Sequence, residues 1–140
     1  MKNRTYRYAE NNVLYPFGYG LTYSKVECSS VSYADGIAKV SVKNTGSRAT
    51  EDVVQLYIKD YCEYAVRNVS LCGFARVKLE AGEEKTIEIA VPERAFTAVD
   101  NNGKRAVFGS RFTLYAGTHQ PDELSEKLSG TSCASTEIKF

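Results

Sequence analysis

Between Ile37 and Asn44, Ala38, Val40 and Val42 alternate with Lys39, Ser41 and Lys43, and most of the chain repeats this pattern. A period of two sends successive side chains to opposite faces of a strand, so one face is apolar and the other is wet. Turn residues separate the runs: Ala34-Asp35-Gly36, Asn44-Thr45-Gly46-Ser47, Glu80-Ala81-Gly82-Glu83 and Asp100-Asn101-Asn102-Gly103. Val26 and Cys28 lead into Val31 and Tyr33 with a change of phase at Ser29-Ser30, which predicts a bulge or bend in a first strand. That strand forms a hairpin with Ile37 to Asn44. Val54, Leu56 and Ile58 face one side of a central strand, and Tyr57 covers the other.

The remaining runs follow the same logic. Leu71 to Leu79 has apolar positions Leu71, Phe74, Val77 and Leu79 that change phase around Gly73, predicting a second bulge. Ile87, Ile89 and Val91 point inward until Pro92, which has no amide hydrogen to donate, ends the ladder. Glu93 to Asp100 is a short helical turn or a crossing between sheets. Arg105 to Phe108 is a short strand, and Phe112, Leu114 and Ala116 are the buried side of another. Thr118 to Ser132 is polar and solvated, with a helix start or turn at Pro121-Asp122-Glu123-Leu124, and Thr136 to Phe140 closes a sheet edge. About seven short antiparallel strands with almost no helical period predict an all-β, two-sheet sandwich over residues 24–140.

Residues 1–23 are different. In Leu14-Tyr15-Pro16-Phe17-Gly18-Tyr19-Gly20-Leu21-Thr22-Tyr23, the proline and two glycines exclude helix and regular strand. Aromatic side chains in such an irregular segment need a surface to bury against. Tyr15, Phe17, Tyr19 and Leu21 are therefore the candidate docking residues of an aromatic hinge. The polar leader before it carries Arg4, Tyr6, Arg7 and Tyr8, residue types enriched in protein contacts.

Size and charge narrow the partners. One domain of 140 residues can bury a core of its own. A net charge of +1 with scattered basic residues gives no electrostatic reason to expect nucleic acid or an anionic membrane. Apolar runs fall short of the roughly 20 residues a membrane helix needs, and Met1-Lys2-Asn3-Arg4 does not open a signal peptide. Cys28, Cys62, Cys72 and Cys133 form no Cys-x-x-Cys pair, so zinc is not expected. They read either as free thiols, which favour the cytoplasm, or as disulfides with three possible pairings.

Tyr15 to Tyr23, preceded by Arg4-Thr5-Tyr6-Arg7-Tyr8, closely resembles the segment that leads into the C-terminal fibronectin type III-like domain of family 3 glycoside hydrolases, the β-glucosidase and β-xylosidase family. Val53-Val54-Gln55-Leu56-Tyr57-Ile58 and Leu71 to Glu83 resemble that domain's central strands, in the same order and at the usual separation. The resemblance runs from Arg4 to about Gly117. It implies an immunoglobulin-like sandwich whose partners are the catalytic domains of a parent hydrolase, with an oligosaccharide near the active-site mouth as a further possible partner. It also implies catalytic residues outside this chain, because the family's nucleophilic Asp belongs to a preceding barrel.

The chain's own residues agree with a non-catalytic reading. Glycoside hydrolysis requires two carboxyl groups flanking the bond, one held protonated. Glu51, Asp52, Glu83, Glu84, Glu88 and Asp100 fall on wet strand faces or in turns, where water keeps carboxylates ionised. His119 reads as a surface histidine without a serine partner segment, and no cofactor motif is present; Gly18-Tyr19-Gly20 lacks the strand, helix and third glycine of a dinucleotide loop. Tyr61, Tyr64 and Arg67, in the long loop after Asp60, are the candidate substrate-facing residues, since tyrosine rings stack on sugars. A stand-alone carbohydrate-binding module is the alternative reading.

Overall fold

The computed structural model describes residues 13–140. The leader residues Arg4, Tyr6, Arg7 and Tyr8 lie outside the described residues. Seven strands carry the fold: β1 (Val26–Ala34), β2 (Ile37–Asn44), β3 (Thr50–Asp60), β4 (Ser70–Leu79), β5 (Glu84–Ala90), β8 (Arg111–Gly117) and β9 (Ala134–Lys139). A two-residue pair, β6 (Ala98–Val99) and β7 (Arg105–Ala106), follows a 3₁₀ turn at Glu93–Phe96, and a short helix α1 (Glu123–Ser129) precedes β9. The expected strand at Arg105 to Phe108 thus shrinks to its first two residues.

All pairings are antiparallel, and the seven main strands form two packed sheets, ordered β1-β2-β5 and β4-β3-β8-β9, with β6 and β7 as a separate two-stranded ribbon. β3 is central and β9 closes an edge, as the alternation predicts. Both bulges are present, with register shifts between Cys28 and Ser30 and, on the β3–β4 ladder, opposite Leu56 and Tyr57. The inner faces supply the core: Val40 and Val42 from β2, Val54 and Leu56 from β3, Leu79 from β4, and Phe112, Leu114 and Ala116 from β8, all fully buried. Phe96 on the 3₁₀ turn plugs one end, its ring 5.2 Å from Phe112, 5.1 Å from Phe140 and 5.5 Å from Tyr33. These edge-on and tilted arrangements suit ring quadrupoles.

Asn44 ties the other end together. It is fully buried, and its Oδ1 accepts from Ser24 Oγ at 2.7 Å and Gly46 N at 3.0 Å, while Nδ2 donates to the carbonyls of Arg48 at 2.7 Å and Glu80 at 3.0 Å. One side chain thereby joins the approach to β1, the β2–β3 turn and the β4–β5 turn. The four cysteines are free thiols.

The two outer faces differ in chemistry. On the three-stranded sheet, cross-strand neighbours Lys39 and Glu88 pair at 3.2 Å, and Lys43 and Glu84 at 3.9 Å. Such exposed pairs contribute at most about 1 kcal/mol each and mark a solvated surface. The outer face of the four-stranded sheet carries Gln55, Tyr57 and Lys59 of β3 beside Thr113 and Tyr115 of β8, with Leu71 and Phe74 of β4 on the far flank.

Candidate functional site

The hinge lies along this second face. Gln55 Nε2 donates to the Gly18 carbonyl at 3.0 Å and to the Thr118 carbonyl at 3.1 Å, and Gln55 Oε1 accepts from Tyr57 Oη at 2.6 Å. One amide thus holds the hinge, the chain beyond β8 and the central tyrosine. Gly18 has φ +80°, and a Cβ there would come within 2.4 Å of both Gln55 Oε1 and Tyr57 Oη. Only glycine fits, for both conformation and space. Pro16 is buried, and Tyr57 is fully covered beneath the segment.

The four docking candidates do not share one environment. Tyr15 stacks on Tyr19 with ring centroids 5.7 Å apart, and Tyr19 is half-buried. Tyr15 is 71% exposed, Leu21 88% and Phe17 41%. The backbone and the proline are anchored internally, and large apolar side chains project from the anchored segment.

Between the hinge, the 60–70 loop and α1 runs a groove of about 990 Å³, lined by Tyr15, Phe17, Tyr61, Arg67, Leu71 and Tyr115 among others. Lys59, Asp122, Glu123 and Lys127 add charge to its walls. The structure therefore brings Tyr61 and Arg67 of the loop together with Tyr15 and Phe17 of the hinge. Tyr61 Oη lies 3.0 Å from Thr113 Oγ1, and the Arg111 guanidinium covers the Tyr61 ring at 4.4 Å from its centroid. Tyr64 does not line the groove; its ring packs edge-on against Phe108 at 4.9 Å.

Two expectations are corrected. His119 is not a surface residue: it is 2% exposed, held against Thr131 and Cys133 in the connection between α1 and β9. Its Nδ1 lies 2.8 Å from the Gln120 carbonyl, its Nε2 3.1 Å from the Thr131 carbonyl and 3.0 Å from Thr131 Oγ1, and Cys133 Sγ donates to the His119 carbonyl at 3.3 Å. The ring ties the 118–131 segment down, so that polar stretch is only partly solvated. A helix does start there as expected, with Asp122 as N-cap accepting from Ser125 N at 2.9 Å.

Asp52 is the second correction. It is half-buried, and burial raises its pKa above the ordinary value, opposed by the Val53 N–H that its Oδ1 accepts at 2.7 Å. A raised carboxyl could serve as a glycosidase acid only with a second carboxylate across the bond. Its neighbour Glu51 instead pairs with Arg76 at 3.0 Å. Burial also pushes the thiols of Cys28, Cys72 and Cys133 up to about 12, which keeps them protonated and unreactive.

The sequence reading missed Gln55 as the clamp, Tyr115 as groove wall, and the outward side of β4. Phe74 and Leu71, which the sequence marks only as apolar positions of a strand that changes phase at Gly73, belong to that outward side, 68% and 41% exposed. The bulge at Cys72 and Gly73 is the reason: Cys72 and Ala75 turn toward the core, and Phe74 turns out. Parity carried the signal, because Phe74 lies two and four residues before the outward charges Arg76 and Lys78.

Comparison with known proteins agrees with the sandwich. Residues 52–120 match the fibronectin type III-like domain family. A β-glucosidase from Ruminococcus albus is 37% identical over 131 residues, covering 81% of this chain and 14% of the relative. A xylan 1,4-β-xylosidase from Xylanibacter ruminicola is 33% identical over 139 residues, covering 94% of this chain and 16% of the relative. The solved structure of a β-glucosidase from Erythrobacter marinus superposes with a TM-score of 0.74 at 31% identity, covering 97% of this chain and 18% of that one. The chain spans under a fifth of the length of these proteins and matches their C-terminal region.

Proposed function

Because this chain is a fibronectin type III-like domain of the kind found in the C-terminal region of family 3 glycoside hydrolases, we propose that it is the non-catalytic brace of such an enzyme and docks on its catalytic domains through the hinge. The observation that carries this reading is the split character of the hinge. Gly18 and Pro16 fasten the segment to the sandwich, and Tyr15, Phe17, Tyr19 and Leu21 are left on the outside or half-covered. A rigidly held row of exposed large apolar side chains is characteristic of a contact surface.

The parent's reaction is hydrolysis of a β-glycosidic bond, by likeness to the β-glucosidases and β-xylosidases. Its carboxylate pair would lie outside this chain. Tyr15 and Leu21 give the sharper test of docking, since Phe17 and Tyr19 are partly packed within the domain. Tyr15→Ser with Leu21→Ser should lower the thermal midpoint of the whole enzyme and leave that of the 140-residue chain nearly unchanged. Equal losses in both would mean that the hinge serves only its own domain.

A second reading follows from the convergence of Tyr15, Tyr61 and Arg67 on one groove. Tyrosine faces beside charged hydrogen-bonding groups are chemistry suited to an oligosaccharide. Under this reading Tyr61 and Arg67 face substrate, and Tyr64, packed on Phe108, does not. Titration of the chain with β-linked gluco- and xylo-oligosaccharides should then shift the Tyr15 and Tyr115 ring resonances of the same groove, and Tyr61→Ala should abolish those shifts.

A further inference from the structure

We propose that the outward strip of β4, centred on Phe74 and Leu71, is a second docking surface for the remainder of the glycoside hydrolase polypeptide. This rests on the bracing reading and extends it from the hinge to the sheet beside it. Along the rest of β4 the outward positions hold Arg76 and Lys78, the charged residues expected on a wet strand face. Phe74 interrupts that rule in mid-strand and is 68% exposed. Burying such a ring is favourable at roughly 25 cal/mol per Å² of apolar surface, so a partner that covers it gains directly.

The strip adjoins the hinge. Phe74 is the cross-strand partner of Gln55, whose amide grips Gly18, and Leu71 is the partner of Tyr57 and lines the groove with Phe17. Beyond Phe74, Arg76 pairs with Glu51 at 3.0 Å, giving an apolar centre bordered by paired charge. That anatomy is typical of protein contacts. It suits a sugar poorly, since Phe74 and Leu71 offer apolar surface without hydrogen-bonding groups of their own.

The occupant follows from length and direction. The matched region is 14 to 16% of the length of the Ruminococcus and Xylanibacter relatives and belongs to their C-terminal region, so most of such a polypeptide lies on the hinge side of the domain. The hinge runs along the same sheet face as the strip, which brings that preceding polypeptide to Phe74.

Hydroxyl-radical footprinting read by mass spectrometry tests this on the whole polypeptide and on the 140-residue chain. Phe74 and Leu71 should be oxidised severalfold more slowly in the whole polypeptide, together with Tyr15 and Leu21. Equal oxidation of Phe74 in both, with Tyr15 and Leu21 protected, would overturn the strip and leave hinge docking standing. If none of the four is protected, both readings fail. Protection of Phe74 in the 140-residue chain that grows with its concentration would point to a second copy as occupant and overturn the proposal. As a second measure, Phe74→Ser should lower the thermal midpoint of the whole polypeptide without lowering that of the 140-residue chain; equal midpoints for variant and wild type in both would also overturn it.

Discussion

Gln55 donates a hydrogen bond from Nε2 to the backbone carbonyl of Gly18 at 3.0 Å, and that contact fastens the irregular N-terminal segment to the central strand of the sandwich. The space beneath Gly18 is closed by Gln55 Oε1 and Tyr57 Oη. A hinge that looks like a linker in sequence is therefore part of the domain's surface.

Gly18→Ala should detach this segment. The backbone cost of φ near +80° for a side-chain-bearing residue is about 1 to 2 kcal/mol, and the clash with Gln55 and Tyr57 adds to it. Gly36→Ala is the matched control, because Gly36 has φ +79° and open space around its missing Cβ. Denaturant unfolding should show a larger loss for Gly18→Ala, with Tyr57 newly accessible to solvent. Equal losses would mean that only the dihedral matters at Gly18.

Asn44→Ala should be among the most damaging single changes. It removes the partner of the Gly46 N–H and of the carbonyls of Arg48 and Glu80 in a partly buried setting, and empties the buried site of its own side chain. Losing these bonds should cost about 2 kcal/mol, read as a fall in the urea midpoint.

Asp52→Asn should stabilise the chain in a pH-dependent way. The carboxyl's pKa is raised in the folded state from its ordinary value of 3.8, chiefly by burial. Below that value Asp52 is protonated in both folded and unfolded chains and exacts no penalty. As pH rises through the raised folded value, the folded state must hold an ionised, poorly solvated carboxylate, and stability falls. The amide avoids this and can still accept from Val53 N–H. Unfolding midpoints of the two proteins should coincide near about pH 3 and separate in favour of the variant by about pH 7. A constant gap at all pH values would assign the effect to packing.

Cysteine labelling should be slow in the native chain. Burial raises Cys28, Cys72 and Cys133 to about 12, and Cys62 is raised by burial and by its thiol's hydrogen bond to Asp60 Oδ2 at 3.1 Å. Since the thiolate is the nucleophile, iodoacetamide near about pH 8 should modify Cys28, Cys72 and Cys133 only after unfolding, and the less covered Cys62 should react first. Rapid native loss of Cys28, Cys72 or Cys133 would contradict the burial described for them.

The sequence by itself determined the sandwich. Alternation in β2, β3 and β8 and the turn residues between strands act over two to four residues, so the first hairpin, the central place of β3, both bulges and a helix start or turn over residues 121–124 were legible from local chemistry. What only the tertiary structure decided depends on which distant segment returns to cover a given side chain. His119 looks solvated until Thr131 and Cys133, more than ten residues later, pack against it, and Asp52 looks wet until the fold half-buries it. Phe74 looks like core because its type is apolar. The bulge at Cys72 and Gly73 sets its direction, and a bulge's exact residue is fixed by the β3 ladder beside it. Gln55 is one polar residue on an alternating strand in the sequence; its meeting with Gly18, 37 residues earlier in the chain, exists only in three dimensions.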